Sequence, residues 1–129
     1  ESEDMFRAEL EVLSAELVIG GHCGLPFHRA LDGRLWVNAG AIGMPANDGT
    51  PEGHFALLTP EAENAIRLEF YRLPYDHRTA AARMRAAGLA EGYASGLETG
   101  LWPSLDVLPA AEKAATGRRL EPQGGRWPG

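Results

Sequence analysis

The sequence has a single cysteine, Cys23, among its 129 residues. One cysteine excludes an internal disulfide bond, and chains without disulfides are typical of reducing compartments. We therefore expect a cytoplasmic protein. The length suits one domain, or a large part of one.

The chain is also short of positive charge. It has 12 Lys and Arg residues against 18 Asp and Glu residues, which leaves a formal net charge of -6. A face that binds nucleic acid usually carries a basic excess, so nucleic acid is not expected as a partner. No apolar run approaches the length of a membrane span, and no secretory signal is visible, so no membrane association is expected. The negative charge of an acidic substrate would need to be neutralised locally, for which metal cations are best suited.

The pattern of the chain divides it into two segments. Residues 1–100 carry the regular periodicities of helices and strands, whereas residues 101–129 form a C-terminal extension. Within the extension, residues 116–129 are rich in Gly, Arg and Pro and are predicted to be a poorly ordered tail. The chain begins at Glu1 rather than at a methionine, which predicts that it is a piece of a longer protein.

Helices and strands are predicted from apolar spacing. Residues 2–16 favour a helix that Ser2 caps, and residues 17–19 favour a short buried strand. Residues 45–53, rich in Gly, Pro, Asn and Asp, predict a long surface loop. The remaining elements are two hairpins and two helices: residues 28–31 with 34–37 around Asp32-Gly33, residues 54–59 with 65–73, residues 76–87 capped by Asp76, and residues 90–97. This order predicts an α+β (α/β) fold, a mixed β-sheet with helices on one face.

The residues best suited to chemistry come directly after the first predicted strand, in the run GGHCGLPF at residues 20–27. A strand that ends in glycines and a histidine exposes its carboxyl end, where open sheets usually hold ligands. Glycines allow the backbone to turn sharply, and an imidazole can coordinate a metal or transfer a proton. His22 is therefore the first candidate for a functional residue.

Two longer runs carry a resemblance to a known family. The run VIGGHCGLPF at residues 18–27 and the run LDGRLWVNAGAIG at residues 31–43 resemble the C-terminal part of calcineurin-like metallophosphoesterases, in the small bacterial phosphodiesterase branch. In that family a strand ends in a Gly-His-x-His loop followed by Leu-Pro-Phe. A hairpin then leads to an Asn-Pro-Gly-Ser-Val-Gly turn. Order and spacing match over roughly residues 12–73.

The resemblance implies a four-layer α-β-β-α sandwich, of which residues 1–100 would be the C-terminal portion. It implies hydrolysis of phosphodiesters or nucleotides by two divalent cations (Mn, Fe, Zn or Ni) held by several loops. Two such cations clamp the phosphoryl oxygens and lower the pKa of a bridging water. His22 would be a metal ligand in the last of these loops. The implied partners are a small phosphorylated substrate and either the missing N-terminal half or a second copy of the chain.

Two features depart from the family pattern. The second histidine of the loop falls on Gly24, which has no side chain, so one metal position lacks a ligand or takes water, Cys23 or a residue elsewhere. The earlier motifs of the family (Asp-x-His, Gly-Asp-x-x-Asp and Gly-Asn-His) are absent, which predicts that this chain alone is inactive. The alternatives are a degenerate relative that binds a ligand or partner without turnover, and an interaction module that shares only the fold.

Other residues have both a chemical and a structural interpretation. Cys23 is a second candidate, as a soft metal ligand or nucleophile or as a small contact residue of the loop. His28 and His54 would complete a mononuclear site with His22, or they make cross-strand polar contacts. Asn47 is a candidate substrate contact from the long loop, although an asparagine in a glycine turn more often holds the turn itself.

Three further positions are expected to be structural. Asn38 is predicted to stabilise a turn through bonds from its side chain to the backbone. Arg67 and Arg72 could contact a phosphate, but charges that alternate on a half-exposed strand are usually solvated, and we expect this of both. Trp102, between Leu101 and Pro103, is expected in an interface or in the core.

Overall fold

The computed structural model describes residues 3–128, which form a mixed α+β fold with two small sheets, as the sequence predicts. Ser2, the predicted helix cap, lies outside these residues. The elements in chain order are α1 (Glu3–Val12), β1 (Leu17–Gly20), β2 (Pro26–Leu31), β3 (Arg34–Ala39), β4 (Gly53–Pro60), β5 (Ile66–Leu73), α2 (His77–Ala86), α3 (Glu91–Thr99), α4 (Ala110–Ala114) and β6 (Gly125–Trp127).

The first sheet has the strand order β1-β3-β2 and is mixed. β1 runs parallel to β3, while β2 and β3 form the predicted antiparallel hairpin. Its two turn residues, Asp32 and Gly33, have φ angles of 50° and 74°. Such positive φ angles match the twist of a two-residue hairpin and explain why Asp-Gly is a reliable signal for one.

The second sheet has the order β4-β5-β6. β4 and β5 form the second predicted hairpin, with Gly53 opposite Leu73 at one end and Pro60 opposite Ile66 at the other. β6 then pairs with the start of β5, where Trp127 lies opposite Ile66. Within the predicted loose tail, residues 125–127 therefore form a strand that pairs with β5. The division of the chain at residue 100 stays a prediction.

The core lies between the two sheets. Leu35 and Val37 of β3 pack against Leu68 of β5, with partly buried side chains around them from both sheets. On the opposite face of the first sheet, Phe6 and Leu10 of α1 are buried against Leu31. The order of layers is therefore helix, sheet, sheet.

α1 ends at Val12, four residues before the predicted end at residue 16. Arg34 of β3 donates its guanidinium group to the carbonyl oxygens of Leu10 and Leu13, which satisfies the free acceptors at the helix terminus. The backbone N–H of Leu35 then donates to the carbonyl oxygen of Glu16 at 2.8 Å, so Glu16 bonds to β3 and does not continue the helix.

The segment between β3 and β4 has no regular structure from residue 45 to residue 52, as predicted, but its centre is not on the surface. Pro45, Ala46, Asn47 and Asp48 are all buried. The expectation of a surface loop is wrong, because residues far along the chain cover this segment. Residues 45–48 therefore belong to the interior, whereas Gly49 is exposed.

α2 and α3 form a helical hairpin with its own apolar contact between Ala81, Ala94 and Leu97. As predicted, Asp76 caps α2 by accepting a hydrogen bond from the backbone N–H of Thr79 at 3.1 Å. None of the helices formed by residues 3–128 has both the length and the apolar character needed to cross a membrane.

Candidate functional site

The loop at residues 21–25 follows the carboxyl end of β1 and forms a tight turn. The N–H of Cys23 donates to the carbonyl oxygen of Gly21 at 2.8 Å, and His22 between them has a φ of 68°. The side chains of His22 and Cys23 are both exposed. The loop therefore presents an accessible imidazole and an accessible thiol, as its position after the strand predicts.

Asn38 of β3 fixes this loop through two hydrogen bonds. Its side-chain amide donates to the carbonyl oxygen of Cys23 at 2.9 Å and to that of Leu25 at 2.7 Å. Asn38 is 2% exposed, so these bonds are shielded from water. The expected side-chain-to-backbone bonding is present, but it fixes the neighbouring loop rather than the turn that contains Asn38. Asn38 thereby positions the segment that carries His22.

Gly24 is buried, and a side chain at its position has no room. A Cβ atom added there would lie 2.9 Å from Cζ2 of Trp102, 3.2 Å from the carbonyl oxygen of Pro45 and 3.3 Å from Cγ of Met44. Real Cβ atoms essentially never approach another heavy atom to less than 3.0 Å. Trp102, expected in the core or an interface, therefore packs directly on the loop.

A pocket of about 490 Å³ opens beside the loop. His22 and Cys23 lie on its wall, together with the charged residues Arg29, Glu112 and Arg118. One carboxylate oxygen of Glu112 is buried and has no hydrogen-bond partner among residues 3–128. The rest of the lining is mainly apolar and includes Leu25, Phe27, Met44, Trp102, Val107 and Leu108. A molecule in this pocket would lie next to the imidazole, which can coordinate a metal or exchange a proton with it.

The three histidines considered as a mononuclear site are not brought together. His28 stacks on Phe70 between the two sheets, with ring centroids 6.4 Å apart. His54 is 3% exposed, and neither of its ring nitrogens has a partner among the described residues. Residues 3–128 contain no group of three His, Cys, Asp or Glu side chains arranged to hold a metal. The mononuclear interpretation is therefore not supported.

Asn47, the candidate substrate contact, is buried with its polar groups engaged. Its side-chain oxygen accepts from the backbone N–H of Trp102 at 2.9 Å, and its side-chain nitrogen donates to the hydroxyl of Thr116 at 3.0 Å. Its carbonyl oxygen also accepts from the N–H of Gly117 at 2.9 Å. These contacts favour a structural role, in which Asn47 ties the long loop to the C-terminal segment.

Arg72 forms a buried polar cluster that the sequence interpretation missed. Its guanidinium group donates to Asp48 at 3.1 Å, to Glu52 at 3.2 Å, to the hydroxyl of Thr50 at 2.8 Å and to the carbonyl oxygen of Leu120 at 2.6 Å. Arg72 was expected to be solvated, and this expectation is wrong. A signal was present, because Arg72 shares the face of Leu68 and Phe70, which point into the core.

Hydrogen bonds in this cluster lower the pKa of Asp48 despite its burial. Burial alone raises the pKa of this carboxyl group, but hydrogen bonds from Thr50, from the N–H of Leu120 and from Arg72 outweigh burial. The net pKa is lowered, so Asp48 carries its charge throughout the neutral range. The ionised carboxylate is thus matched to the guanidinium group of Arg72.

His54 lies opposite Arg72 in the register of β4 and β5. Burial lowers the pKa of His54, and the positive charge of Arg72 lowers it further. The negative charges of Asp48, Glu52 and Glu121 act in the opposite direction but are weaker. His54 is therefore held in its neutral form, which removes it from the candidates for a proton donor at neutral pH.

The metal centre implied by the resemblance fits these residues only in part. The exposed imidazole of His22 is suited to coordinate one metal ion. The position of the second ligand, Gly24, is closed by Trp102, Pro45 and Met44. Among residues 3–128, no other cluster of ligating side chains supplies the remainder. The described residues therefore offer His22 as a candidate ligand, with Cys23 beside it, and do not by themselves form a site for two cations.

Comparison with known proteins identifies relatives in structure only. No family model matches the chain, and no curated protein is significantly similar to it. Among the solved structures that are similar to it, a metallophosphoesterase from Sphaerobacter thermophilus is 27% identical with a TM-score of 0.61, covering 75% of this chain and 48% of that one. A hypothetical protein from Pyrococcus horikoshii OT3 is 20% identical with a TM-score of 0.63, covering 79% of this chain and 39% of that one.

The chain spans less than half the length of either structure. At 20% identity the second structure supports the fold alone, while the first is also described as a metallophosphoesterase. Both superpose on most of this chain. The chain therefore has a metallophosphoesterase-like fold.

Proposed function

We propose that this chain is the C-terminal portion of a metal-dependent phosphoesterase of the small bacterial phosphodiesterase branch. The observation that carries the proposal is the accessible His22, which follows a strand and lies beside a pocket of about 490 Å³ in a metallophosphoesterase-like fold. The proposed reaction is hydrolysis of a small phosphodiester or nucleotide. Further loops of the complete protein would supply the remaining ligands.

In this proposal His22 contributes an imidazole to a divalent cation: Mn, Fe, Zn or Ni. Bound divalent cations polarise phosphoryl oxygens and lower the pKa of a bound water. The resemblance implies two cations, and this loop supplies a ligand for one of them. Asn38 orients the loop through its two bonds to backbone carbonyls, and the apolar side of the pocket limits the access of water.

The test is hydrolysis of bis-p-nitrophenyl phosphate by the complete protein that contains this chain. We expect activity with at least one of manganese, nickel, iron and zinc. His22→Ala should remove most of it, because a ligand is lost. His77→Ala is the matched control, since His77 lies on α2, outside the loop, and the activity should persist. Absence of hydrolysis with all four metals would refute the proposal, as would full activity in His22→Ala.

A second function is favoured by one observation, the closed space at Gly24. In this alternative the protein is a degenerate relative that binds a ligand or a partner without turnover. Elemental analysis of the complete protein separates the two. Two tightly bound metal ions per chain contradict degeneracy, whereas a metal-free protein without hydrolysis supports it.

We further propose that the first sheet is completed by another chain segment, either the N-terminal half or a second copy. β1 is an edge strand of its sheet as formed by residues 3–128, and Ile19 on it is exposed. Exposed sheet edges with apolar side chains promote pairing. The 129-residue chain alone should therefore migrate as more than a monomer in size-exclusion chromatography with light scattering. A compact monomer would contradict this expectation.

A further inference from the structure

The indole of Trp102 occupies the space into which a side chain at position 24 would extend. A Cβ atom at position 24 would lie 2.9 Å from a ring carbon of Trp102, which is closer than real Cβ atoms approach. The backbone oxygen of Pro45, at 3.2 Å, is a tight contact that a shift of a few tenths of an ångström relieves. Gly24 is not among the glycines with a positive φ, so space, and not backbone conformation, excludes a side chain there.

Trp102 is held in this position from two sides. Its indole Nε1 donates to the carbonyl oxygen of Pro45 at 2.6 Å, and its backbone N–H donates to the side chain of Asn47 at 2.9 Å. Asn47 is itself bonded to Thr116. The ring is therefore a fixed part of the structure, and a larger residue at position 24 cannot displace it without breaking these partly buried hydrogen bonds.

The restriction is local to Gly24. At Gly21, in the same loop, an added Cβ atom would meet nothing within 4 Å. A side chain is thus tolerated on one side of His22 and excluded on the other. The loop as a whole therefore has room for side chains. The closed position, Gly24, is the one where the resemblance places the second imidazole.

We infer that Gly24 and Trp102 form a matched pair in which the indole replaces the second imidazole of the loop, so that the loop serves one metal position only. The inference rests on the proposed function, because only that function implies a second histidine ligand at position 24. It is independent of turnover. The residue that blocks the second ligand is Trp102, and removal of its ring should restore room for one.

The experiment introduces the missing imidazole with and without the ring. In the 129-residue chain, the double variant Gly24→His with Trp102→Ala should bind Ni²⁺ or Co²⁺ roughly 100-fold more tightly than the unchanged chain, because two linked imidazoles chelate one ion. Gly24→His alone should lower the Tm and give no comparable gain. Affinity is measured by isothermal titration calorimetry, and coordination by the visible absorption of bound Co²⁺.

Two controls identify the ligands. Adding His22→Ala to the double variant should abolish the gain, since only one imidazole remains. Gly21→His should bind the metal equally with and without Trp102→Ala, because an added Cβ atom at position 21 meets nothing within 4 Å and the ring does not restrict it. The inference would be overturned if Gly24→His alone, with the ring in place, bound the metal as tightly as the double variant and lost no Tm. A folded double variant without any gain would overturn it as well.

If the double variant does not fold, a double-mutant cycle measured by Tm tests whether positions 24 and 102 are coupled. Gly24→Ala should lower the Tm, whereas Gly21→Ala should leave it nearly unchanged. Combined with Trp102→Leu, which opens space, Gly24→Ala should lower the Tm by clearly less than it does alone. Additive Tm losses in this cycle would show that the two positions are not coupled and would refute the matched pair. Because no measurement here uses hydrolysis, failure of the inference is distinct from failure of the proposed function.

Discussion

Arg72 and Asp48 form an ion pair with an N–O distance of 3.1 Å, in which the side chain of Asp48 is 1% exposed and that of Arg72 is 17% exposed. The pair joins β5 to the segment between β3 and β4. The N–H of Leu120 also donates to Asp48 at 2.9 Å, so the C-terminal segment is attached to the same carboxylate. Three distant parts of the chain therefore meet at one buried charge.

Loss of this carboxylate should destabilise the protein strongly. Asp48→Ala removes one carboxylate from the partly buried guanidinium group of Arg72 and the acceptor of the N–H of Leu120, changes that together cost about 3 kcal/mol of unfolding free energy. The measurement is equilibrium unfolding in urea. Glu61→Ala is the matched control, because it removes a carboxylate bound to Arg67 on the same strand but at an exposed site. Similar losses in the two variants would show that burial of the pair is not what matters.

The loop that carries His22 should loosen when Asn38 is truncated. Asn38→Ala removes two shielded hydrogen bonds, each with a net contribution of about 1 kcal/mol. Cys23, the single cysteine of the sequence, reports on this loop directly. We expect faster reaction of its thiol with a disulfide reagent and a lower free energy of unfolding. Glu9→Ala, at an exposed position of α1, should change neither quantity, and an unchanged thiol rate in Asn38→Ala would contradict the positioning role.

The two glycines that end the helices of the α2–α3 hairpin should differ in their tolerance of alanine. Gly88 and Gly100 have φ angles of 70° and 73°, so both variants incur a backbone penalty of about 1 kcal/mol. Around Gly88 an added Cβ atom meets nothing within 4 Å, whereas at Gly100 it would lie 2.3 Å from the backbone of Thr50. Gly100→Ala should therefore cost several-fold more unfolding free energy in urea. Equal costs would mean that this close approach is absent in solution.

His54 should make the stability depend on pH in the weakly acidic range. Burial lowers its pKa below the 6.5 of an exposed histidine, so the unfolded chain takes up the proton first as the pH falls. Its contribution is complete above about pH 6.5 and is lost progressively as the pH falls toward the lower pKa of the folded state. His54→Gln should flatten urea midpoints measured between about pH 8 and pH 5. His22→Gln, at an exposed site, should retain the slope; parallel profiles for His54→Gln and the unchanged chain would contradict the assignment.

The elements that the sequence predicts best are those with local signals. Asp32 and Gly33 have the positive φ angles that their hairpin requires, and Asp76 accepts the hydrogen bond expected of a helix cap. The alternation in β5 likewise follows from neighbours two residues apart. Each of these features depends on a few adjacent residues, so no knowledge of the tertiary structure is needed to predict them.

The features that the sequence does not reveal all depend on residues far apart in the chain. Asn47 and Asp48 are in a segment with the composition of a surface loop, yet Thr116 and Leu120 bury them from the other end of the chain. The closed space at Gly24 likewise arises from Trp102, 78 positions later in the sequence. No local pattern encodes such contacts. For the candidate site, the sequence predicts the accessible imidazole of His22, because it comes directly after a strand. The sequence does not predict that a side chain at position 24 is excluded.

The pairing of β6 with β5 has a consequence for how the protein is made. Residues 125–127 complete the second sheet, and they are nearly sixty positions away from the part of β5 with which they pair. Because translation proceeds from the amino terminus, β4 and β5 emerge from the ribosome long before this third strand exists. During that interval Leu68 lacks a neighbouring strand on one side, and a nascent chain stalled at this stage would be a natural target for chaperones.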